Sequence, residues 1–397
     1  MHRPIHVVHV VHRFAPGGME NVFVQLINGL PHDDFRHTIV ALTQADPVFL
    51  RRIERSDVEI IALDKQPGQP YRIYPRFFAL LKRLRADVFH SGNLAALDMT
   101  PVAAAAAIPR RVHAEHGWDV HDPEGRNWKY ILVRKAYRRF VHDYVTVSKQ
   151  LYTYVRHRVG VEDSRVHLIP NGVDTMRFHP RMASDIEQPN DYPFQRRDHL
   201  VVGTVGRLEP IKNQRLLLDA FAAVLRSAPA DSERLRLALV GSGPLTEALK
   251  RHAVNVGISE RVWWAGTRDD VPEILRAFDV FVLPSLAEGT SCTLQEAMAT
   301  GLPIIATHVG GNSDLLGEGA FGTLVPSGDV TTLANAIRGT LSSLPASSKG
   351  PSAREEVVRR YSLTQMIERY RVLFSRSANA PATAHDTDCS VGPTPLS

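Results

Sequence analysis

The sequence predicts an α/β protein made of two doubly wound parallel sheets in series. Short apolar runs ending in Gly or a polar turn alternate with helical spacings along most of the chain. An aperiodic, Pro-containing stretch at 181–199 separates two such series. With 397 residues, at about 150 per domain, there is room for two domains whose cores need no disulfide or metal staple.

The elements follow in order. The first series of strands is Ile5–Val11, 38–42, 58–63, 87–90, 111–115, 144–147 and 166–169; the second is Leu200–Val205, Leu235–Val240, 262–265, Val280–Leu283 and 303–306. Helical spacing is clearest in Phe23, Leu26, Ile27 and Leu30, and again in Leu217, Ala220, Phe221, Val224 and Leu225. Strand–helix–strand crossovers are right-handed and give parallel sheets covered on both faces. Such sheets take ligands at the carboxyl ends of their strands. The expected division is a first domain at 1–180, a linker at 181–199 and a second domain at 200–361. A tail at 376–397, poor in apolar residues and rich in Ala, Pro, Ser and Thr, reads as disordered.

Composition narrows the class. The chain is 44% hydrophobic and 22% charged, and its longest apolar run, 102–108, falls far short of the roughly 20 residues that span a bilayer. Its first residues, rich in His, lack the apolar core of a signal peptide. Only two cysteines occur, Cys292 and Cys389, with no His or Cys beside them, which excludes a disulfide framework and a Cys-rich zinc site. These features predict a soluble, cytoplasmic protein. The net charge of +5 is unevenly spread: residues 1–180 hold 25 Lys and Arg against 18 Asp and Glu, and 14 of the 18 histidines. The basic half should attract something anionic. His6, His9 and His12 do not read as a metal site, because strand residues three apart point to opposite faces.

Four stretches carry chemistry. Gly17-Gly18 stands between the first strand and first helix, where backbone can approach an anion at a helix start; an ordinary turn would look the same. Gly206, Arg207 and Lys212 follow the strand Leu200–Val205. Cations at a helix start oppose its dipole, so a diphosphate would compensate there, held by an Arg fork and a Lys point charge; two exposed surface cations are the plainer alternative. Gly241 and Gly243 begin like a dinucleotide fingerprint, but Thr246 takes the third glycine position and no acidic strand end follows at about 20 residues. That pattern disfavours NAD while leaving a loop that can approach a nucleotide. The densest stretch is 284–298, with Glu288, Gly289, Thr290 and Ser291 in a loop and Glu296 in the first turn of the next helix. Carboxylates suit paired sugar or ribose hydroxyls. Thr293-x-x-Glu296 also reads as a capping box, which would make Glu296 structural. A third glycine-bearing loop, His308 to Asn312, follows the next strand.

The ordered set Gly17-Gly18, Ile169-Pro170-Asn171-Gly172-Val173-Asp174, Gly206-Arg207, Lys212 and the Glu288/Glu296 pair resembles the retaining glycosyltransferases of family four, from Ile5 to Phe374. The resemblance implies the GT-B fold, two Rossmann-like domains facing across a cleft, with a helix at 362–375 crossing back onto the first, acceptor-side domain. It implies that Arg207 and Lys212 hold the donor diphosphate, Glu296 the ribose and Glu288 the donor sugar. Gly17-Gly18 would approach the phosphate, and His116 would match the family's histidine near the reacting carbon. His116, Arg207, Lys212 and Glu288 are thus the candidate catalytic residues. The co-substrate would be a UDP- or GDP-linked sugar, with no metal and no other cofactor; Asp386-Thr387-Asp388, the only Asp-x-Asp, lies in the tail. The chain departs from the pattern at Asn213, where Gly is frequent, and at Asn312, where an apolar residue is frequent.

The resemblance also implies a carbohydrate or lipid-linked saccharide acceptor and a setting in bacterial exopolysaccharide or cell-surface glycan synthesis. The segment Arg126–His142 is basic, has no acidic residue before Asp143, and interleaves Trp128, Tyr130, Ile131, Leu132, Tyr137 and Phe140. It reads either as a helix lying on the inner face of the cytoplasmic membrane or as a solvated basic face. No nucleic-acid motif accompanies it. A nucleotide-sugar epimerase of the same fold and a non-catalytic membrane- or polysaccharide-binding scaffold are the rival readings.

Overall fold

In the computed structural model the described residues are 3–66, 70–119, 122, 125–182, 189, 191–195, 198–227, 232–344 and 349–376. They fold as two compact units: residues to Ile169 together with those from Ile367, and Pro170–Met366. The low-complexity tail, with Cys389 and Asp386-Thr387-Asp388, lies outside the described residues, as does part of 181–199.

The first unit holds a seven-stranded sheet in the order β3-β2-β1-β4-β5-β6-β7. Its strands are β1 (Ile5–Val11), β2 (Phe35–Ala41), β3 (Glu59–Ala62), β4 (Val88–Gly92), β5 (Arg110–Glu115), β6 (Asp143–Thr146) and β7 (Val166–Leu168). The second unit holds six, in the order β10-β9-β8-β11-β12-β13. These are β8 (Leu200–Val205), β9 (Leu235–Val240), β10 (Val262–Gly266), β11 (Val280–Leu283), β12 (Ile304–Thr307) and β13 (Thr323–Val325). Every pairing between named strands is parallel.

Strand residues alternate between two cores, which is why the strands read as continuous apolar runs. Val8 and Val10 pack with Phe77, Leu81 and Met99, whereas Val11, Ile39 and Ala41 pack with Phe23 and Ile27. In the second unit Val280 and Val282 face Leu217 and Phe221, while Phe281 and Leu283 face Leu294 and Met298. The helix Gln214–Ser227 buries Leu217, Ala220, Phe221 and Val224, the stripe its spacing predicts.

Three differences from the sequence expectation have physical causes. β13, only three residues long, is too short to show a period and was not expected. The first unit gives way to the second at Pro170, ahead of residue 180, because Val173 and Phe178 pack into the second unit's core and Val173 bridges Ser362. The stretch expected as a linker is partly anchored to that core: Phe194 is buried, and the Tyr192 hydroxyl donates to Ala277 O at 3.1 Å. The last helix, Leu363–Ser375, changes unit after Met366. Its Ile367 fills the space above Gly29, and Tyr370 and Phe374 stack edge-on against His90.

A row of buried histidines lies under that helix. His9 on β1 meets His37 on β2 (Nε2···Nδ1 3.0 Å) and His90 on β4 (Nδ1···Nδ1 3.0 Å). His6 turns away to Thr38 and the Leu84 carbonyl. Three neighbouring strands of the sheet thus assemble a cluster that no spacing within one strand reveals. Burial lowers the pKa of His9 to about 3, and burial together with His9 takes His37 to about 2. Burial and His9 hold His90 well below its ordinary value too.

Candidate active site

In each sheet the strand order reverses at one point, between β1 and β4 in the first and between β8 and β11 in the second. Chain leaving the carboxyl ends of such neighbours diverges and opens a crevice. The two motif-bearing loops of the second unit, after β8 and after β11, leave at that point.

After β8 the chain runs through Gly206 and Arg207 to a short turn, Pro210–Lys212. Asn213 then takes φ 47°, ψ 43°. A left-handed residue is needed there, and Asn tolerates this conformation better than other side chains. That accounts for Asn213 in a glycine position. Gln214 donates from Nε2 to Arg207 O at 2.9 Å and so fixes the backbone that carries the guanidinium. The Arg207 side chain is 63% exposed and pairs with Glu209 at 3.0 Å.

After β11 come Ser285 and Glu288. Glu288 is 8% exposed, and its Oε1 accepts from Lys212 Nζ at 2.7 Å and from Ser285 Oγ at 2.6 Å. A buried carboxylate needs such partners. Both bonds fall on one oxygen, and among the described residues no bond to Oε2 occurs. The structure therefore brings Lys212 and Glu288 together and leaves one carboxylate oxygen open.

Close backbone packing sets the rest of the crevice. Gly241 has φ 128°, and a Cβ there would lie 2.1 Å from Gly206 O. Gly243 stands equally tight against Leu208 O. The third glycine loop reaches the Glu288 loop: a Cβ at Gly310 would lie 1.8 Å from Glu288 O, and Gly311 N–H donates to Gly289 O at 3.1 Å. Gly289 and Thr290 form a bend that leads to Ser291. Asn312, fully buried, donates from Nδ2 to Thr307 O at 3.0 Å and ties this loop to the end of β12.

The capping-box reading of Glu296 does not hold. Ser291, not Thr293, caps the helix Cys292–Ala299, its Oγ accepting from Leu294 N–H at 3.3 Å. Glu296 lies past the first turn, half-buried, outside the cap. Burial pushes the Cys292 thiol up to about 12, so it stays protonated and is no nucleophile.

In the first unit, Gly17 precedes the helix Gly18–Gly29, and a Cβ at Gly18 would meet nothing within 4 Å. Phe23 of this helix stands edge-on to His116, ring centroids 6.0 Å apart. His116 follows β5, and its N–H donates to Asn93 Oδ1 at 2.8 Å. Beside it Glu115 is fully buried and bidentate to Arg134 at 2.6 and 3.1 Å. Burial alone would raise the Glu115 carboxyl, but Arg134 and His113 outweigh it and hold the pKa well below the carboxylate range.

That pair corrects the reading of the basic segment. Arg134 turns inward to Glu115, Arg138 to the Val159 carbonyl and His142 to Arg111. Outside remain Arg126, Lys129, Lys135 and Arg139, with Trp128 67% and Leu132 57% exposed one helical turn apart. Sequence reasoning missed Gln214 and Asn93, and it placed Ser285 and Gly310 in motif-bearing loops without giving either a role of its own. Asn93 directly follows β4 and Gln214 opens the helix after β8, a signal usable only once strand order is known.

Comparison with known proteins decides the family. Residues 16–177 match the family described as Glycosyltransferase Family 4, and residues 199–343 match Glycosyl transferases group 1. The chain is a family-four glycosyltransferase. It is 27% identical over 310 residues to the UDP-Gal:alpha-D-GlcNAc-diphosphoundecaprenol alpha-1,3-galactosyltransferase of Escherichia coli, 75% of this chain and 77% of that protein. It is 31% identical to a GDP-mannose-dependent phosphatidylinositol monomannoside mannosyltransferase of Mycolicibacterium smegmatis over 60% of this chain and 62% of that one. Anabaena HepE, solved with UDP and glucose, shares the fold: TM-score 0.79 at 22% identity, covering 94% of the transferase and 99% of HepE. The transferase therefore has the GT-B architecture expected from its sequence. No helix among the described residues is long and apolar enough to cross a membrane.

Proposed function

We propose that the transferase moves a sugar from a UDP- or GDP-linked donor to a lipid-linked or free saccharide, with retention and without a metal, in the synthesis of a cell-surface glycan such as an exopolysaccharide. The observation that carries this is the Lys212–Glu288 pair at 2.7 Å on the carboxyl edge of the second sheet, with Arg207 on the adjoining loop. Breaking a sugar–phosphate bond puts negative charge on the diphosphate and positive charge on the sugar. Preorganised cations for the first and a carboxylate for the second stabilise that separation.

In this reading Arg207 and Lys212 neutralise the departing diphosphate, Glu288 Oε2 accepts from a donor-sugar hydroxyl, and Glu296 accepts from the ribose. The loops at Gly206, Gly241, Gly243, Gly289, Thr290 and Ser291 bring backbone to the nucleotide. The acceptor is assigned to the carboxyl edge of the first sheet around His116, and Gly17-Gly18 keep their assignment to the donor phosphate. Retention follows if attack comes from the leaving-group face, with a phosphate oxygen taking the acceptor proton. The UDP bound to HepE and the diphospholipid and phosphatidylinositol acceptors named for the two relatives support these classes.

A thermal-shift panel of UDP, GDP, ADP and NAD tests the donor side. A ligand at about 100 times its Kd stabilises by about 2.7 kcal/mol, a visible rise in Tm. Stabilisation by UDP or GDP is expected, and stabilisation by NAD alone would sink the reading. Donor turnover without any acceptor would instead favour the epimerase.

The exposed Trp128–Leu132 face, flanked by Arg126, Lys129 and Lys135, is the surface we assign to an anionic membrane. The transferase should float with liposomes containing phosphatidylglycerol and not with neutral ones, and the double variant Trp128→Ser/Leu132→Ser should stay below. Flotation unchanged in that variant would remove the surface from the reading.

A further inference from the structure

Asn93 lies directly after β4, beside the point where the first sheet reverses its strand order. Its backbone adopts φ 56°, ψ 171°. That conformation borders a region essentially reserved for glycine, so a side chain there is held against strain, which clusters at functional sites. Its own N–H donates to Ala114 O at 2.8 Å, and its Oδ1 accepts from His116 N–H at 2.8 Å.

The second bond orients the amide. A backbone N–H can only donate, so the atom facing it is the oxygen, and the NH2 must turn the other way. Asn93 is half-buried, and among the described residues no group accepts its two side-chain protons. Beside it, Gly92 lies against Met19 and Phe23 of the helix that Gly17-Gly18 opens. Glycine at position 93 would take this backbone without strain, but it would lose the bond to His116 and both donors.

We propose that Asn93 is a substrate-contacting residue: its side-chain NH2 donates to a hydroxyl oxygen of the saccharide acceptor on this edge, while its Oδ1 fixes the backbone of His116. The inference rests on the transferase reading above. It assigns the strained position a use that needs an amide, with one end committed to protein and the other to substrate.

Two substitutions test it in the full chain. Asn93→Gly removes the amide and suits the backbone; Asn93→Asp keeps the oxygen facing His116 N–H and loses both donors. UDP-galactose, UDP-glucose and GDP-mannose serve as donors, with a GlcNAc-diphospholipid in micelles as acceptor. Both variants should melt no lower than wild type for Gly and within a few degrees for Asp. Both should lose roughly 10- to 100-fold in kcat/KM for the acceptor, the cost of one unmade hydrogen bond to substrate, with little change in donor KM. Wild-type kinetics in either variant would overturn the contact. A rise in donor KM in place of acceptor KM would overturn its assignment to the acceptor. A wild-type chain that transfers from none of the three donors would count against the transferase reading itself, and the inference would fall with it.

Discussion

Arg207→Ala should lower kcat by about 10²-fold or more, with a smaller change in KM and almost none in Tm. The reasons are separable. The guanidinium is 63% exposed and its one ion pair among the described residues, with Glu209, is at the surface, so truncation should alter stability by no more than about 0.5 kcal/mol. The backbone beneath it is held independently by Gln214. What the side chain supplies is a fixed fork for charge that develops only as the sugar leaves, and that contribution appears in kcat. Lys212→Ala makes the contrast. It strips Glu288, 8% exposed, of its cation, so Tm and turnover should fall together. Steady-state kinetics and melting curves of the two variants check both halves, and normal turnover in Arg207→Ala would remove it from the mechanism.

The second large effect is on acid stability. His9, His37 and His90 are buried neutral, with folded pKa values depressed well below the unfolded value of about 6.5. Below pH 6.5 the unfolded chain takes up protons that the folded chain refuses. The stability these groups allow is therefore complete above pH 6.5 and is lost as pH falls from there toward their folded values. For three groups the loss is on the order of 5 kcal/mol by pH 5, a large part of an ordinary domain's stability. Asp98 works the other way: burial raises it to about 6, which returns about 1 kcal/mol over the same range. All the histidines with a resolved depression, His6, His12 and His142 included, are in the first unit. The first unit should thus open between about pH 4 and 5.5 while the second stays protected. Hydrogen exchange at pH 5 against pH 7 would read this directly. Equal protection of both units at pH 5 would mean that the histidine row is not held neutral.

Much of this protein was legible along the chain. Twelve of the strands announced themselves as apolar runs, because a strand buried on both faces has no polar side to interrupt it. The order of Gly206-Arg207, Lys212, Glu288 and Glu296 named the family before any geometry was known. It could do so because loops at the carboxyl ends of strands carry function in an order that the chain preserves.

Other features depended on how separate segments meet. Ser285 acquires a role only beside Glu288, and Gly310 only because the Glu288 carbonyl occupies the space of its Cβ. Arg134 read as one cation in a basic run, yet β5 offers it Glu115 and takes it inside. Thr293 and Glu296 have capping-box spacing, but the helix begins one residue after Ser291 and the cap goes there. His9 faces no other histidine on its own strand; β2 and β4 bring His37 and His90 to it. The sequence by itself determined the strands, the two-sheet architecture and the family, because periodicity and motif order are local or ordered along the chain. Tertiary structure alone decided which charges pair, which histidines stay neutral and which amide is left to donate. Those outcomes are set by parallel pairing between residues tens of positions apart, which no window of the sequence contains.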